Sequence, residues 1–205
     1  MTTTTRRLLT GIAAAAVAVP VTLMGATTAN AATLSDETVE MLQYMVAEEK
    51  LARDVYTVLG DTYDVAVFDR IASSEARHMA SVRVLLARFG ITDPTLGDAA
   101  GYFDNAALQS LYDDLVAKGL TSVTAAAEVG ITIEKVDIAD LDDALDTTSA
   151  ADVTRVLSNL RSGSENHLAA FTALKDDPTA VHPADGTGTN AQQGRGGRGN
   201  RAPGR

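Results

Sequence analysis

Between residues 32 and 177 the chain holds one proline, Pro94, and its apolar residues recur every three to four positions. A stretch of that length with a 3.6-residue period and a single breaker points to long amphipathic helices. The pattern predicts helices over 36–59, with Ser35 as N-cap, and 65–89, with Asp64 as cap and Gly90 as stop. It predicts two more over 122–146, capped by Thr121 or Ser122, and 150–174, where Ser149 and Asp152 have capping-pair spacing. Short connections make each pair an antiparallel hairpin. Residues 90–120 lie between the hairpins and carry a shorter amphipathic pattern, 105–118. Helices of ~25 residues are ~37 Å long at 1.5 Å per residue, and a ~30-residue connector crosses that length with a short helix to spare. The expected fold class is all-α: a four-helix bundle of two antiparallel hairpins joined by one long crossover with a short extra helix.

Both ends of the chain fall outside that pattern. Arg6-Arg7, an uncharged run from Leu8 to Ala26 and the small-residue site Ala29-Asn30-Ala31 read as an export signal over 1–31, with cleavage after Ala31. Thr5-Arg6-Arg7-Leu8-Leu9 has the look of a twin-arginine signal, whose route carries folded proteins. The run is rich in Ala and Gly and contains Pro20, which disfavours a retained anchor. The mature protein is therefore expected to be exported and not membrane-embedded. At the other end, residues 178–205 combine prolines, a Gly/Asn/Gln-rich stretch and Arg195, Arg198, Arg201 and Arg205. Such a composition cannot form a core and reads as a disordered Gly/Arg-rich tail.

Charge and cysteine usage exclude several function classes. The chain has a formal net charge of −10 and no cysteine. Thiolate zinc sites, iron–sulfur clusters, disulfides and Cys nucleophiles are ruled out, so metal chemistry must use oxygen and imidazole ligands. The segment 32–177 carries 26 acidic against 11 basic side chains, a balance of −15. A domain of that sign repels nucleic acid.

Several charged residues nevertheless stand on the apolar stripes. Over 65–89 the stripe includes Phe68, Ile71, Ala72, Glu75, His78, Met79, Val82 and Phe89, so Glu75 and His78 point inward. Over 122–146 the inward residues include Ile131, Glu134, Asp137, Ile138 and Leu141. Over 150–174 His167 is inward and Glu165 falls on the polar side with Arg161. In the first helix Glu48 and Glu49 both lie near the stripe, and periodicity alone slightly prefers Glu48. Depth is a separate check: the midpoint of Glu49 and Glu75 falls at residue 62, in the turn, and the midpoint of Glu134 and His167 falls about half a turn from the loop near Thr148. The inward polar residues of both hairpins thus converge near mid-bundle.

Burying one unpaired carboxylate costs several kcal/mol, and four facing one another require protonation or neutralisation. Glu49 (or Glu48), Glu75, Glu134 and Asp137 carry four negative charges, which two divalent cations would cancel. With neutral His78 and His167 they make a mixed nitrogen and oxygen ligand set suited to iron, manganese or zinc. The rival reading is a set of separate core polar residues, with Glu49 paired to Arg53 or Glu75 to a cation on another helix. Against it, the domain's two histidines are both inward, on different helices, at the level of the carboxylates. Gly130 in mid-helix reads as close packing, and Tyr44 and Tyr56 as core aromatics.

Glu49-Glu-Lys-Leu-Ala52-Arg53-Asp-Val-Tyr56, Ile71-Ala-Ser-Ser-Glu75-Ala-Arg-His78, Glu134-Lys-Val-Asp137 and Ser164-Glu-Asn-His167 resemble the helix motifs of rubrerythrin-type, ferritin-like di-iron proteins. They are closer still to an uncharacterised prokaryotic ferritin-like family, and the resemblance spans about 35–175. It selects Glu49 over Glu48, because the family's first ligand stands three residues before an Ala-Arg pair. It also exposes a departure. Rubrerythrins place a bridging Glu three residues before the last His, where this chain has Ser164, and this chain has Asp137 beside Glu134. We expect Asp137 to supply the missing carboxylate.

The resemblance implies a metal site of Glu49, Glu75, His78, Glu134, Asp137 and His167 holding two divalent metal ions, iron foremost, with manganese or zinc as alternatives. In this reading Glu75 and Glu134 bridge or cap, His78 and His167 hold one ion each, and Glu49 and Asp137 complete the shells. The implied chemistry is iron oxidation or the reduction of dioxygen or peroxide, as a ferroxidase or peroxidase. A chain with no cysteine has no rubredoxin-like module, so any reductant is external. A homodimer is compatible with this reading. The alternative from another class is a non-catalytic exported metal-binding or structural bundle.

Overall fold

The computed structural model of the chain describes residues 34–179. The expected export signal, and the expected Arg-rich tail beyond its first two residues, lie outside these residues. Among the described residues there are five helices and no strand: α1 (Asp36–Tyr63), α2 (Ala66–Phe89), α3 (Ala106–Gly119), α4 (Val123–Thr147) and α5 (Ala151–Asp176). None of these helices is long and apolar enough to cross a membrane. The architecture is the expected one. α1 packs chiefly on α2, and α4 on α5, while the short α3 of the crossover lies against α1 and α4.

The helix ends follow local chemistry, with two corrections. Ser35 caps α1 by accepting from the Thr38 amide at 3.2 Å, and Ser122 caps α4 by accepting from Ala125 at 3.0 Å. α2 stops at Gly90, whose φ of +67° is the left-handed conformation that favours glycine. Asp64 is not the N-cap of α2: it adopts φ +51° and closes α1, its amide bonding Gly60 O at 2.9 Å. α1 therefore runs four residues past its expected end, leaving the tight turn Asp64-Val65. Nor do Ser149 and Asp152 form a capping pair. Ala150 caps α5 without a side-chain bond, and Asp152 instead pairs with Arg88 at the end of α2.

A polar layer divides the core into two clusters. One is centred on Tyr56, Phe68 and Phe171, all fully buried, with ring centroids 4.9–6.5 Å apart. Each such ring contributes about 1.5–3 kcal/mol by leaving water. Gly130 lets α5 reach this cluster, because a Cβ there would stand 2.5 Å from the Phe171 ring. The other cluster packs Leu42, Met45, Val82, Leu86, Leu141 and Leu157 at the opposite end. Between them lie the charged residues of all four long helices.

The crossover is fastened by a buried cation. Lys50, 1% exposed, donates to Asp54 Oδ2 at 2.8 Å and to the carbonyls of Ala99 and Tyr102, both at 2.9 Å. Its ammonium also sits 4.1 Å from the Phe103 ring centroid. Asp54 in turn accepts from the Gly101 amide at 2.9 Å and is paired with Arg53. All three ammonium protons are used, which is what allows a lysine to be buried here. Lys50→Met strands the two carbonyls and half of the Asp54 charge, so it is expected to cost about 3 kcal/mol of unfolding free energy in chemical denaturation. An unchanged denaturation midpoint contradicts this account.

Candidate metal centre

Three of the four long helices deliver polar residues to the middle layer by the same device, two positions three apart sharing a face, and α1 adds a single carboxylate. α1 brings Glu49, α2 Glu75 and His78, α4 Glu134 and Asp137, and α5 Ser164 and His167. Glu49, Glu75 and Glu134 are 1–2% exposed and His167 8%. His78 and Asp137 are half-buried.

The Glu75 carboxylate lies between the two imidazoles. Its Oε1 is 2.7 Å from His167 Nδ1 and its Oε2 2.8 Å from His78 Nδ1. Each histidine also faces a carboxylate of its own: Glu49 Oε2 is 3.4 Å from His78 Nδ1, and Glu134 Oε2 is 3.6 Å from His167 Nδ1. The rings stack, with centroids 5.4 Å apart. The other oxygen of Glu134 accepts from the Tyr56 hydroxyl at 2.7 Å, which fixes Oε2 toward His167. Tyr56 is the core aromatic expected, but its hydroxyl belongs to the site. Asp137 stands at the edge of the layer, and the Ser164 hydroxyl favours its charged form.

A metal ion fits this donor set. Ligand atoms of Glu75, His78 and His167 all lie within 4.8 Å of one another. Glu49 Oε1, Glu75 Oε1, Asp137 Oδ1 and both Nδ1 atoms are buried without a partner in hydrogen-bonding geometry. The short contacts between Glu75 and the histidines are therefore not aligned hydrogen bonds. Their lone pairs converge on shared space, as ligands of one ion do, and an unsatisfied buried polar group otherwise costs about 1–3 kcal/mol.

Electrostatics without metal distribute protons unevenly over the layer. Burial pushes Glu49 well above the usual carboxylate range, and the charges of Asp137 and Glu75 add to it. Burial raises Glu134 to about 7, with His167 opposing and Glu75 adding to the rise. Burial also raises Asp137 to about 7. Burial would raise Glu75 too, but the adjacent His167 and His78 overcome it and hold its carboxyl at about 2. Burial works against the charged imidazoles, yet Glu134 and Glu75 lift His167 to about 9, and Glu75 raises His78.

The expected residues thus meet in one layer, with Glu75, His78 and His167 at the centre, Glu49 and Glu134 flanking and Asp137 outermost. Glu48 points to a neighbouring polar group: burial and the charges of Asp140 and Asp137 raise it well above its ordinary value, and Tyr44 lies beside it. Sequence reasoning missed Gly163. A Cβ at that position would meet His78 Nε2 at 2.5 Å and Cε1 at 2.7 Å, so its bare Cα lets the ring lean on α5 with Nδ1 toward the carboxylates. The one signal is its placement four residues before His167, on the face that meets α2.

Two outcomes follow. Gly163→Ala favours helix by up to about 1 kcal/mol, yet it displaces His78. Metal affinity should fall about tenfold while the melting temperature of the metal-free chain does not fall, and titration calorimetry beside thermal melts separates the two effects. Unaltered affinity excludes the positioning role. For pH, groups raised on folding contribute stability below their ordinary values and lose it as pH climbs through the raised ones. Glu134 and Asp137 at about 7 and His167 at about 9 do this, whereas Glu75 at about 2 loses its contribution only in acid. The metal-free melting temperature should therefore drop between about pH 5 and 9, and metal, which binds the deprotonated ligands, should offset the drop. A metal-free melting curve that rises over this range refutes the assignment.

Residues 38–182 match the family described as Uncharacterized protein domain (DUF2202). The chain is 43% identical over 141 residues to Uncharacterized protein MJ0754 of Methanocaldococcus jannaschii, spanning 69% of this chain and 76% of that protein. It also superposes on the crystal structure of hypothetical protein MJ0754 from Methanococcus jannaschii with a TM-score of 0.71 at 39% identity, covering 77% of this chain and 90% of that one. A match over most of the helical domain, together with a relative this similar in sequence and structure, places the chain in the DUF2202 family.

Proposed function

We propose that this chain is an exported, ferritin-like metal protein that holds two divalent ions, iron first, and couples Fe(II) oxidation to reduction of dioxygen or peroxide. The observation that carries the proposal is the Glu75 carboxylate set between two Nδ1 atoms, each with a second carboxylate of its own. His78 and Glu49 would hold one ion and His167 and Glu134 the other, with Glu75 shared between them. Asp137 takes the role that a helix carboxylate at position 164 would otherwise have. The buried Ser164 hydroxyl is small enough to leave Asp137 room on that side. Four carboxylates and two divalent ions balance to zero charge in the dry layer.

Bound iron would supply one-electron redox chemistry, two ferrous ions together furnishing the two electrons that, with two protons, would take dioxygen to hydrogen peroxide. The chain's residues organise this chemistry. Tyr56 aims Glu134, Gly163 aims His78, and the two apolar clusters above and below the layer exclude bulk water. Protons resident on Glu49, Glu134, Asp137 and the histidines leave as cations enter. With no cysteine for an electron-transfer module, any reductant comes from outside the chain, and export would make it harder to supply.

Anaerobic loading of the purified domain with Fe(II), followed by air or peroxide, should give about two irons per chain, oxidant consumption and absorption of an oxo-bridged iron pair. Asp137→Asn should lose about half of the bound metal, and unchanged stoichiometry removes Asp137 from the site. Metal uptake with no oxidant consumption leaves a storage or structural role. A domain that takes up no metal and keeps its stability defeats the proposal.

A further inference from the structure

Two cations flank Glu49 on its own helix. Lys50 is its neighbour, and Arg53 stands four residues on, the spacing at which a glutamate and a following arginine pair most readily. Glu49 is buried and its Oε1 has no partner, so a salt bridge to Arg53 is the simplest way to satisfy it. That bridge does not form. Among the described residues no ion pair of lysine or arginine involves Glu49. It faces the carboxylates of Asp137, Glu75 and Glu134 instead, with His78 Nδ1 3.4 Å away.

Both cations go to the buried Asp54. Its Oδ1 accepts from Arg53 Nε at 2.8 Å and lies 2.6 Å from Nη2 of the same guanidinium. Its Oδ2 accepts from Lys50 at 2.8 Å and from the Gly101 amide at 2.9 Å. Lys50 has two carbonyls besides, so it stays in place without Asp54. Arg53 has no second carboxylate. Its Nη1 ends 3.7 Å from Met79 Sδ, and a thioether is a weak acceptor. That contact also shows the reach of the side chain, because Met79 stands on α2, next to His78 and four residues after Glu75. A guanidinium released from Asp54 has Glu49, one turn back on α1, within reach.

Charge decides the consequence. A guanidinium on Glu49 would occupy the lone pairs that a metal needs and would set a fixed positive charge beside the incoming cation. We infer that Asp54 is a positioning residue of the metal centre: it holds Arg53 off Glu49, so that Glu49 is left for a metal ion and not used up in an internal salt bridge. This rests on the metal reading above. It gives the carboxylate that fastens the crossover a second role, at the ion shared by Glu49 and His78.

Anaerobic Fe(II) titration calorimetry on the full chain tests the inference with Arg53→Gln, Asp54→Asn and the double variant. Asp54→Asn should weaken Fe(II) binding about tenfold, Arg53→Gln should leave it unchanged, and the double variant should return to within about threefold of the parent. A merely structural Asp54 requires the double variant to bind no better than Asp54→Asn, because it lacks every contact that the single variant lacks. Equal weakening in the two, or unaltered affinity in Asp54→Asn, overturns the inference. Metal-free crystals of Asp54→Asn give a readout that needs no iron: Arg53 should lie on Glu49, and an Arg53 that stays away from it is an equally decisive contradiction. Where Asp54→Asn does not fold, Arg53→Lys decides with the crossover fastening whole. Its ammonium lacks the two-nitrogen grip on Asp54 and can turn to Glu49, so it should bind Fe(II) about threefold more weakly than Arg53→Gln, and equal affinities overturn the positioning role. A parent chain that takes up no Fe(II), with Arg53 moved onto Glu49 in the Asp54→Asn crystals, overturns the metal reading and leaves the partition of cations by Asp54 standing.

Discussion

A carboxylate with one oxygen 2.7 Å and the other 2.8 Å from imidazole nitrogens of two different helices ties α2 to α5 at mid-bundle. Glu75 can occupy that place only if the hairpins are in register to within a fraction of a helical turn, since each of its oxygens addresses a separate ring. The same demand splits the core, because ionisable groups gathered at one depth interrupt the apolar packing between the helices. Aromatic packing around Tyr56, Phe68 and Phe171 therefore fills one end and aliphatic packing around Leu86, Leu141 and Leu157 the other. Tyr56 links the two regimes: its ring belongs to the apolar end, and its hydroxyl ends on Glu134.

Helix order, hairpin pairing and the level of the site were legible in the sequence because they depend on periodicity and on distances along a rigid rod. Glu75 and His78 interrupt an otherwise apolar stripe, and the arithmetic of an antiparallel turn placed Glu49 beside them. It tolerated the error at Asp64, because lengthening α1 by one turn moved the turn centre without moving either residue off the layer. What stayed hidden depends on backbone detail. An aspartate at a helix junction reads equally as N-cap or C-cap, and only its left-handed φ decides. Gly163 has no side chain to read, so its close approach to His78 exists only in three dimensions. Choosing Glu49 over Glu48 needed a family resemblance, since both lie at the stripe's edge and both end up in polar surroundings.

Lys50 and Asp54 show the limit of reading charge as solvent exposure. A lysine at a stripe's margin normally extends its ammonium to water. Here the crossover chain passes directly over it and supplies two carbonyls, so the ammonium is buried and the segment is pinned. One turn of α1 thus carries both the site residue Glu49 and the anchor for the segment leading to α3. The arrangement separates the two faces of the site: imidazoles from α2 and α5 on one side, and on the other the carboxylates, which line a cavity shared with Leu108, Leu111 and Leu115 of α3.

The net charge of the domain takes on a different meaning in this layer. Four carboxylates in a dry layer never present four charges when no metal is bound, because burial keeps protons on Glu49 and raises Glu134 and Asp137 to about 7. Glu75 stays ionised between two imidazoles that its own charge helps to protonate. The metal-free layer is consequently close to neutral by proton occupancy, and under the proposed two-ion loading it would be neutral by cation occupancy. Both satisfy the same electrostatic constraint, so the bundle can fold before it takes up metal, with protons holding the places of the cations.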